Sequence, residues 1–350
     1  MYRLALLAAL ALAMPPTAFA DEPPPVSAGD DARGRPVPII TSFVPGIIVP
    51  GAGSFVAHDK KTAWRLLEMA GIGAGLAVLG GVPLVVSGGN PWAAALGAPV
   101  LVAGFGIFEQ AWLSDFFNAT GIAPGGPHKG PLYSLEAGVL WTHDAYRDRA
   151  LLHVEGRAVV APSLMLVADA HRSYDGAYRD GNLQVRTRLL QHFASDDEYD
   201  GSYLEVRATG HLRDDTDDHV QATTIDAEIA GRVDLHYISN LPEGVFAELS
   251  GGYGAERTAY TMAHDWNSLL LARVAWGVYV NHSGEFAVYY DHRRDTIAGG
   301  LALSHAAGFV GSFGARLDLR VSGPWALHGE FELGNATVST IGIRYEGGPR

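Results

Sequence analysis

Residues 224–237 read Thr-Ile-Asp-Ala-Glu-Ile-Ala-Gly-Arg-Val-Asp-Leu-His-Tyr, and this stretch decides the fold of the chain. Asp226, Glu228, Arg232 and Asp234 fall on alternate positions, interrupted only by Ala230, and apolar residues or glycine lie between them. Because the side chains of a strand alternate between its two faces, one face is charged and the other apolar. A helix would spread both sets around its circumference. Such a strand suits a wall between hydrocarbon and a polar interior.

The same alternation recurs through the C-terminal two-thirds of the chain, between turn signals. Further strands are predicted at 150–160, 163–173, 183–192, 203–213, 310–321 and 325–333. The count is about 12, with 10 or 14 as alternatives, because single-chain bacterial barrels have even strand numbers. A thirteenth strand fits residues 338–345, so one division near 298–310 is expected to be wrong.

The connections between these strands are of two kinds, as in membrane barrels. Those expected to be short lie at 161–162, 240–244 and 282–284, and those expected to be longer and polar lie at 175–181, 214–219 and 256–267. If the short connections face the periplasm, both ends of the barrel domain lie there too.

Before residue 130 the sequence is different in kind. Residues 1–20 combine Arg3, a short apolar run and Ala18-Phe19-Ala20, which predicts a cleaved secretory signal rather than a retained anchor. Residues 21–40 are rich in Pro, Asp and Gly and predict a flexible linker. Residues 41–126 hold two long apolar, Gly-rich stretches that predict a helical hairpin. This hairpin lies either in a membrane, which is favoured, or against another part of the protein.

The region 133–345, within a barrel domain predicted at 131–348, resembles bacterial outer-membrane β-barrel proteins in architecture. The fold class is therefore all-β, an antiparallel transmembrane barrel preceded by an apolar helical hairpin. The resemblance implies a location in the outer membrane and contact with membrane lipid. Two alternatives remain open: a soluble β-sandwich, and a periplasmic β-domain held by the hairpin in the inner membrane.

Composition narrows the function. The 350 residues carry a net charge of −13 and no cysteine. The acidic balance argues against a nucleic-acid partner, and the missing cysteine excludes disulfides and thiolate chemistry.

The predicted inward faces carry charges of both signs, which either pair across strands or line a narrow aqueous path for small solutes or ions. Pairing is favoured because buried charges need partners. The predicted ladder of lumen charges is Glu155, Arg157, Asp169, Arg186, Arg188, Glu205, Arg207, Asp226, Glu228, Arg232, Asp234, Arg273, Arg316, Asp318, Arg320, Glu330 and Glu332.

Two places could carry catalysis. His171-Arg172-Ser173 resembles a His-x-Ser triplet of outer-membrane acyl hydrolases, although both side chains are predicted to face inward. Asp291 and His292 open a dense ionisable cluster at a strand end. Ion pairing explains that cluster equally well, so the chain is expected not to be an enzyme, and a lipid-modifying hydrolase is kept as an alternative.

Acidic loops offer oxygen ligands, which suit a hard cation such as Ca²⁺. The candidates are Asp214, Asp215, Asp217 and Asp218, with a second group at 196–200. Solvated loops of this kind are common, and no cofactor is predicted. The sequence therefore predicts a structural or transport barrel, of narrow-pore type, in the outer membrane.

Overall fold

The computed structural model describes residues 35–348, except for 88–90, 122–126, 128–129, 144–147, 192–200, 218, 236–243, 262, 281–283, 293–311 and 335. The predicted signal at 1–20 and most of the predicted linker at 21–40 lie outside the described residues.

Twelve antiparallel strands form a closed barrel, in which each strand pairs with its sequence neighbours and β1 pairs with β12. The strands are β1 Tyr133–His143, β2 Asp148–Ala161, β3 Leu164–Ser173, β4 Tyr178–Leu190, β5 Tyr203–Asp215, β6 Val220–Asp234, β7 Val245–Ala259, β8 His264–Val280, β9 Gly284–His292, β10 Ser312–Ser322, β11 Trp325–Leu333 and β12 Thr337–Gly347. The predicted barrel and its strand number are confirmed, and closure rules out the two-sheet sandwich. Residues 338–345 belong to β12, whereas 293–311 lie outside the described residues.

The outer face of the barrel is apolar. Ile225, Leu270 and Ile341 point outward and are 69%, 65% and 67% exposed. This is the surface that hydrocarbon would cover. Tyr203, by contrast, lies opposite Arg232 across the strand pair and is buried inside the barrel.

The two ends of the barrel differ in what they carry. We call the end at which β1 begins and β12 ends the proximal end, and the other the distal end. The connections expected to be short fall at the proximal end and those expected to be longer at the distal end. The length expectation holds for the proximal connections at 162–163 and 281–283, which have two and three residues. It fails for the proximal connection at 235–244 and for the distal turns at 174–177, 216–219 and 260–263, which have only four residues each.

The deciding stretch forms β6, but the strand ends earlier than predicted, at Asp234. The Asp234 carboxylate accepts a hydrogen bond from the backbone N–H of Gly244 at 3.2 Å, and Gly244 has a φ of 88°. This contact closes the connection to β7, where a left-handed backbone favours glycine.

Within the described residues, four helices precede the barrel: α1 Pro36–Phe43, α2 Ala52–Val56, α3 Lys60–Val86 and α4 Pro91–Thr120. α1 begins inside the predicted linker, because Pro36 supplies a φ suited to the first helical turn. α3 and α4 form the predicted hairpin. The segment Lys60–Pro83 of α3 has a mean hydropathy of 1.6 and is long and apolar enough to cross a membrane.

The hairpin packs against the outer wall of the barrel through α4. Leu113 and Phe117 of α4 share a core cluster with Val245 and Val278 near the proximal end. Closer to the distal end, the rings of Phe105 and Phe313 lie 6.2 Å apart. α4 therefore follows the outer faces of β7 to β10, so the hairpin contacts the barrel on the side that lipid would otherwise cover.

A buried carboxylate ties the short helix α2 to α4. Asp115 is fully buried and accepts hydrogen bonds from the backbone N–H groups of Gly53 and Ser54, at 2.9 and 2.7 Å, and from the Ser54 hydroxyl at 2.6 Å. We expect Asp115→Ala to destabilise this helical region by about 2 kcal/mol, because buried donors are left unsatisfied. Hydrogen exchange at the Gly53 and Ser54 amides measures the loss. Asp115→Asn, which keeps one acceptor oxygen, should lose less, and equal exchange in both variants would contradict this role.

Candidate functional site

The lumen of the barrel is the candidate functional site, and the structure places all seventeen residues of the predicted charge ladder on its inward faces. Strand pairing fixes these directions: Arg207 of β5, for example, lies opposite Arg186 of β4 and Glu228 of β6. Other inward charges are absent from the predicted ladder, among them Glu136, Glu285 and Arg344. Alternation around Ser134-Leu135-Glu136 and Ile343-Arg344-Tyr345 is the signal that would have found two of them.

Arg207 is the centre of one ion-pair network. Its guanidinium lies 2.7 Å from Glu205, 3.6 Å from Glu248 and 3.8 Å from Glu228. It also donates to the Tyr203 hydroxyl at 3.3 Å. The three carboxylates are 1–6% exposed, so each depends on nearby positive charge rather than on water.

A second network follows toward the proximal end. Arg232 contacts Glu285 at 2.7 Å and Glu248 at 3.0 Å, and lies 4.0 Å from the centre of the Phe246 ring. Glu285 also binds Arg316 at 2.8 Å. Glu248 is thus shared with the Arg207 network, which makes the two networks continuous across β5 to β10.

A third group joins the closing strands. Asp318 contacts Arg344 and lies 3.0 Å from His328 Nδ1 and 3.5 Å from Arg316. Arg344 in turn lies 3.8 Å from Glu136 of β1. Pairing across strands therefore dominates the ladder.

A cavity of about 670 Å³, which we call the proximal cavity, opens at the proximal end of the lumen. Among the described residues its lining holds nine arginines and five carboxylates. The arginines are Arg157, Arg186, Arg188, Arg207, Arg232, Arg273, Arg316, Arg320 and Arg344, and the carboxylates are Glu205, Glu248, Glu285, Asp318 and Glu346. The cavity is therefore basic, although the chain as a whole carries a net charge of −13.

Arg186 is the least compensated of these arginines. Its Nε donates to the amide oxygen of Gln184, and it lies opposite Arg207 across the strand pair. Among the described residues no carboxylate forms an ion pair with it. By contrast, Arg157 contacts Glu155 at 2.5 Å and Arg188 lies 3.6 Å from Glu205. Arg186 thus offers the cavity a guanidinium that is free to bind an anion.

The first pair of catalytic candidates faces the lumen, but no hydrogen bond joins its members among the described residues. His171 Nδ1 is 2.6 Å from Asp180. The Ser173 hydroxyl donates to Asp175 at 2.5 Å, and this bond, with one from the backbone N–H of Ala177, lowers the pKa of the Asp175 carboxyl in its exposed distal turn. Among the described residues, Ser173 is therefore not hydrogen-bonded to His171, the base that the triplet would need.

The second pair is split between the two faces of β9. Asp291 points inward, 3.7 Å from Arg273, whereas His292 points outward and its Nδ1 is 3.0 Å from the Tyr290 hydroxyl. The rest of that ionisable cluster, at 293–295, lies outside the described residues.

The acidic candidates for Ca²⁺ are also separated. Asp214 points outward and contacts Arg179 at 2.6 Å, and Asp215 points inward and contacts Arg149 at 2.7 Å. The backbone N–H of Asp217 donates to Asp215 at 3.2 Å. Asp218 and the group at 196–200 lie outside the described residues. Alternation along the end of β5 thus sends Asp214 and Asp215 to different sides.

No family model and no curated protein matches this chain. Similar solved structures include the KdgM porin in complex with disordered oligogalacturonate, with a TM-score of 0.40 and 7% identity over 61% of this chain and 98% of the porin. The NanC porin has a TM-score of 0.39 and 8% identity over 61% and 100%. The translocator domain of the autotransporter NalP from Neisseria meningitidis has a TM-score of 0.37 and 11% identity over 63% and 90%. The resemblance is one of architecture, common to outer-membrane β-barrels, and it identifies no family.

Proposed function

We propose that this protein is an outer-membrane barrel that admits small anionic solutes through a narrow lumen, after export by a cleaved signal at residues 1–20. The observation that carries the proposal is the excess of arginine over carboxylate in the proximal cavity. Rings of Arg or Lys favour anions in pores, and low-dielectric walls focus their field.

The outer surface supports the membrane location. The apolar outer face and the hairpin beside it both suit hydrocarbon. Turns of two or three residues are typical of the periplasmic side in barrels of this kind, and the proximal connections at 162–163, 281–283 and 323–324 have that length. We therefore assign the proximal end, with its basic cavity, to the periplasm.

The interior supports a narrow path rather than a wide one. Ion pairs run from β5 to β12 and fill much of the lumen, so only small solutes are expected to pass. Arg186 and its uncompensated charge provide the first binding point for an anion that enters the proximal cavity.

Location is tested by membrane fractionation, followed by comparison of unheated and heated samples on a gel. Sedimentation with the outer membrane and a heat-dependent mobility shift are expected. Fractionation with the inner membrane, without a shift, would instead support a hairpin-anchored periplasmic domain.

Selectivity is tested in planar bilayers under a KCl gradient. We expect the reversal potential to show anion preference, and Arg186→Gln to reduce that preference. A unit charge about 4 Å from a passing anion contributes about 1 kcal/mol in a water-like dielectric, which is about fivefold in binding. The variant should therefore lower the anion-to-cation permeability ratio by up to about fivefold.

The matched control for this experiment is Arg179→Gln, on the same strand. Arg179 has a side chain that is 69% exposed on the outer face, where it pairs with Asp214. It should leave the permeability ratio unchanged. A barrel without conductance would support a structural role, and lipid hydrolysis lost in His171→Ala would support the hydrolase alternative.

A further inference from the structure

Three side chains meet inside the barrel near its distal end, and we call them the distal carboxyl site. Tyr289 lies on β9, whereas Glu330 and Glu332 lie on β11, two strands away. Gly314 of β10 pairs with Tyr289 on one side and with Glu332 on the other, and it has no side chain. A Cβ added at Gly314 would lie 2.2 Å from the ring of Tyr289. The ring therefore crosses β10 at this glycine and brings its hydroxyl to the two glutamates.

The Tyr289 hydroxyl lies within hydrogen-bond distance of both carboxyl groups. Its oxygen is 2.5 Å from Glu330 Oε1 and 2.7 Å from Glu332 Oε1. A phenol has one hydrogen to donate, and an ionised carboxylate can only accept. The single hydrogen of Tyr289 thus accounts for one of the two contacts. The other contact requires a second hydrogen, which a protonated carboxyl group donates to the phenol oxygen.

Positive charge is unequally distributed around the two glutamates. Glu330 lies 3.7 Å from His328 Nε2, and the Nδ1 atom of the same ring is 3.0 Å from Asp318. Glu332 forms no ion pair with any residue that the structure describes. Where two carboxylates share a site, repulsion between them keeps a proton on one. Glu332 is the better place for that proton, because Glu330 has the basic neighbour.

The arginines that face this part of the lumen contact other carboxylates. Arg273 of β8 lies 3.9 Å from the centre of the Tyr289 ring and 3.7 Å from Asp291 of β9. Arg316 of β10 binds Glu285 at 2.8 Å. On the other side, β12 places no ionisable residue opposite the two glutamates. The neighbouring strands therefore do not compensate a second negative charge at the distal carboxyl site.

We propose that the distal carboxyl site binds one proton at neutral pH, with Glu332 donating to Tyr289 and Tyr289 donating to Glu330. The site then carries one negative charge instead of two. None of its three residues lines the proximal cavity, so the proton is bound farther along the lumen. Its release at higher pH places a second negative charge near the distal end, where this charge opposes the passage of an anion. This last consequence rests on the proposed function, whereas the proton site does not.

Infrared spectroscopy of the full chain refolded in detergent micelles tests the site directly. A protonated carboxyl group has a C=O band that is separate from the bands of carboxylates and shifts in D₂O. Glu332→Gln and Glu330→Gln are each expected to remove the band of one carboxyl group at neutral pH. Glutamine matches the size of glutamic acid and offers an N–H donor, so at position 332 it preserves both contacts of the Tyr289 hydroxyl.

The matched control is Glu256→Gln, which changes another glutamate of the lumen. The Glu256 oxygens accept hydrogen bonds from Thr258 at 3.0 Å and from Thr224 at 3.4 Å, so no second hydrogen is needed there. This variant should keep the band. Equal band intensity in all three variants would overturn the proposal. So would a spectrum of the unaltered chain that lacks a protonated carboxyl band at neutral pH, and this measurement does not depend on the folding of any variant.

Permeability in planar bilayers measures the consequence for anion passage. Between about pH 6 and about pH 9 the anion-to-cation permeability ratio of the unaltered chain should fall by up to about fivefold, because release of the proton adds a negative charge. Glu332→Gln should abolish this fall, and Glu256→Gln should retain it. A fall that persists in Glu332→Gln would overturn the effect assigned to this charge. The expected infrared result without any anion preference in bilayers would overturn the proposed function and support the proton site.

Discussion

Replacing Arg207 by Met is expected to destabilise the barrel by about 3–5 kcal/mol, because removal of one partner leaves buried charges without compensation. Glu205, Glu228 and Glu248 would then share a largely desolvated part of the lumen, where all three now approach the same guanidinium within 3.8 Å. Methionine keeps most of the side-chain volume, so the loss reports on charge rather than on a cavity.

The measurement is the denaturant midpoint in micelles, followed by the loss of heat-dependent gel mobility. Arg179→Met is the control, because its exposed pair with Asp214 should contribute at most about 1 kcal/mol. Adding Glu228→Gln to Arg207→Met should recover part of the lost stability, since it neutralises one of the carboxylates that the first substitution leaves without a partner. If Arg207→Met and Arg179→Met unfold at the same midpoint, the lumen network does not stabilise the barrel.

Much of the barrel could be predicted from the sequence, because alternation is a local property. Residues 224–237 show it over fourteen positions, and β5 and β11 begin at the predicted residues, Tyr203 and Trp325. Strand ends were harder to place. The last four residues of the expected loop at 175–181 in fact begin β4. Lumen-facing positions accept polar residues such as Asp180, so composition does not separate them from a loop.

The contact between His153 and His171, whose Nδ1 and Nε2 atoms lie 2.9 Å apart, could not be predicted. His171 was predicted to face inward, and His153 alternates in step with Glu155 and Arg157 of the predicted ladder, but the contact depends on the register between β2 and β3. A bulge between Val159 and Ala161 shifts that register, and the sequence gives no direct signal for it. The inward face of a strand can therefore be predicted from that strand alone. A site built from several strands also requires the register between them.

The sequence also did not decide where the hairpin lies, because it is compatible both with a location in the membrane and with a contact to another part of the protein. In the structure, α4 contacts the barrel wall, and Gly106 is the reason that it approaches closely. A Cβ added at Gly106 would lie 2.3 Å from the ring of Trp276. Similar contacts hold α3 and α4 together.

Gly80→Leu is expected to separate the two helices of the hairpin. A Cβ at Gly80 would lie 2.2 Å from the backbone nitrogen of Leu101 and 2.5 Å from the carbonyl oxygen of Gly97. Backbone atoms cannot move aside as a side-chain end can, so the helices must part and lose the close approach that small residues allow. The expected cost to hairpin packing is about 3 kcal/mol, which offsets the gain of up to about 1 kcal/mol in helix propensity.

Hydrogen exchange along α3 and α4 measures this effect. The net loss of about 2 kcal/mol should accelerate exchange by about 30-fold at amides that open with the hairpin. The matched control is Gly75→Leu in the same helix, because a Cβ at Gly75 meets nothing within 4 Å. It should keep the exchange slow, since leucine also favours the helix. Equal exchange in both variants would show that the hairpin is held by its contact with the barrel rather than by the helix crossing. The mobility shift of the barrel should be unchanged in both, because neither glycine lies on a strand.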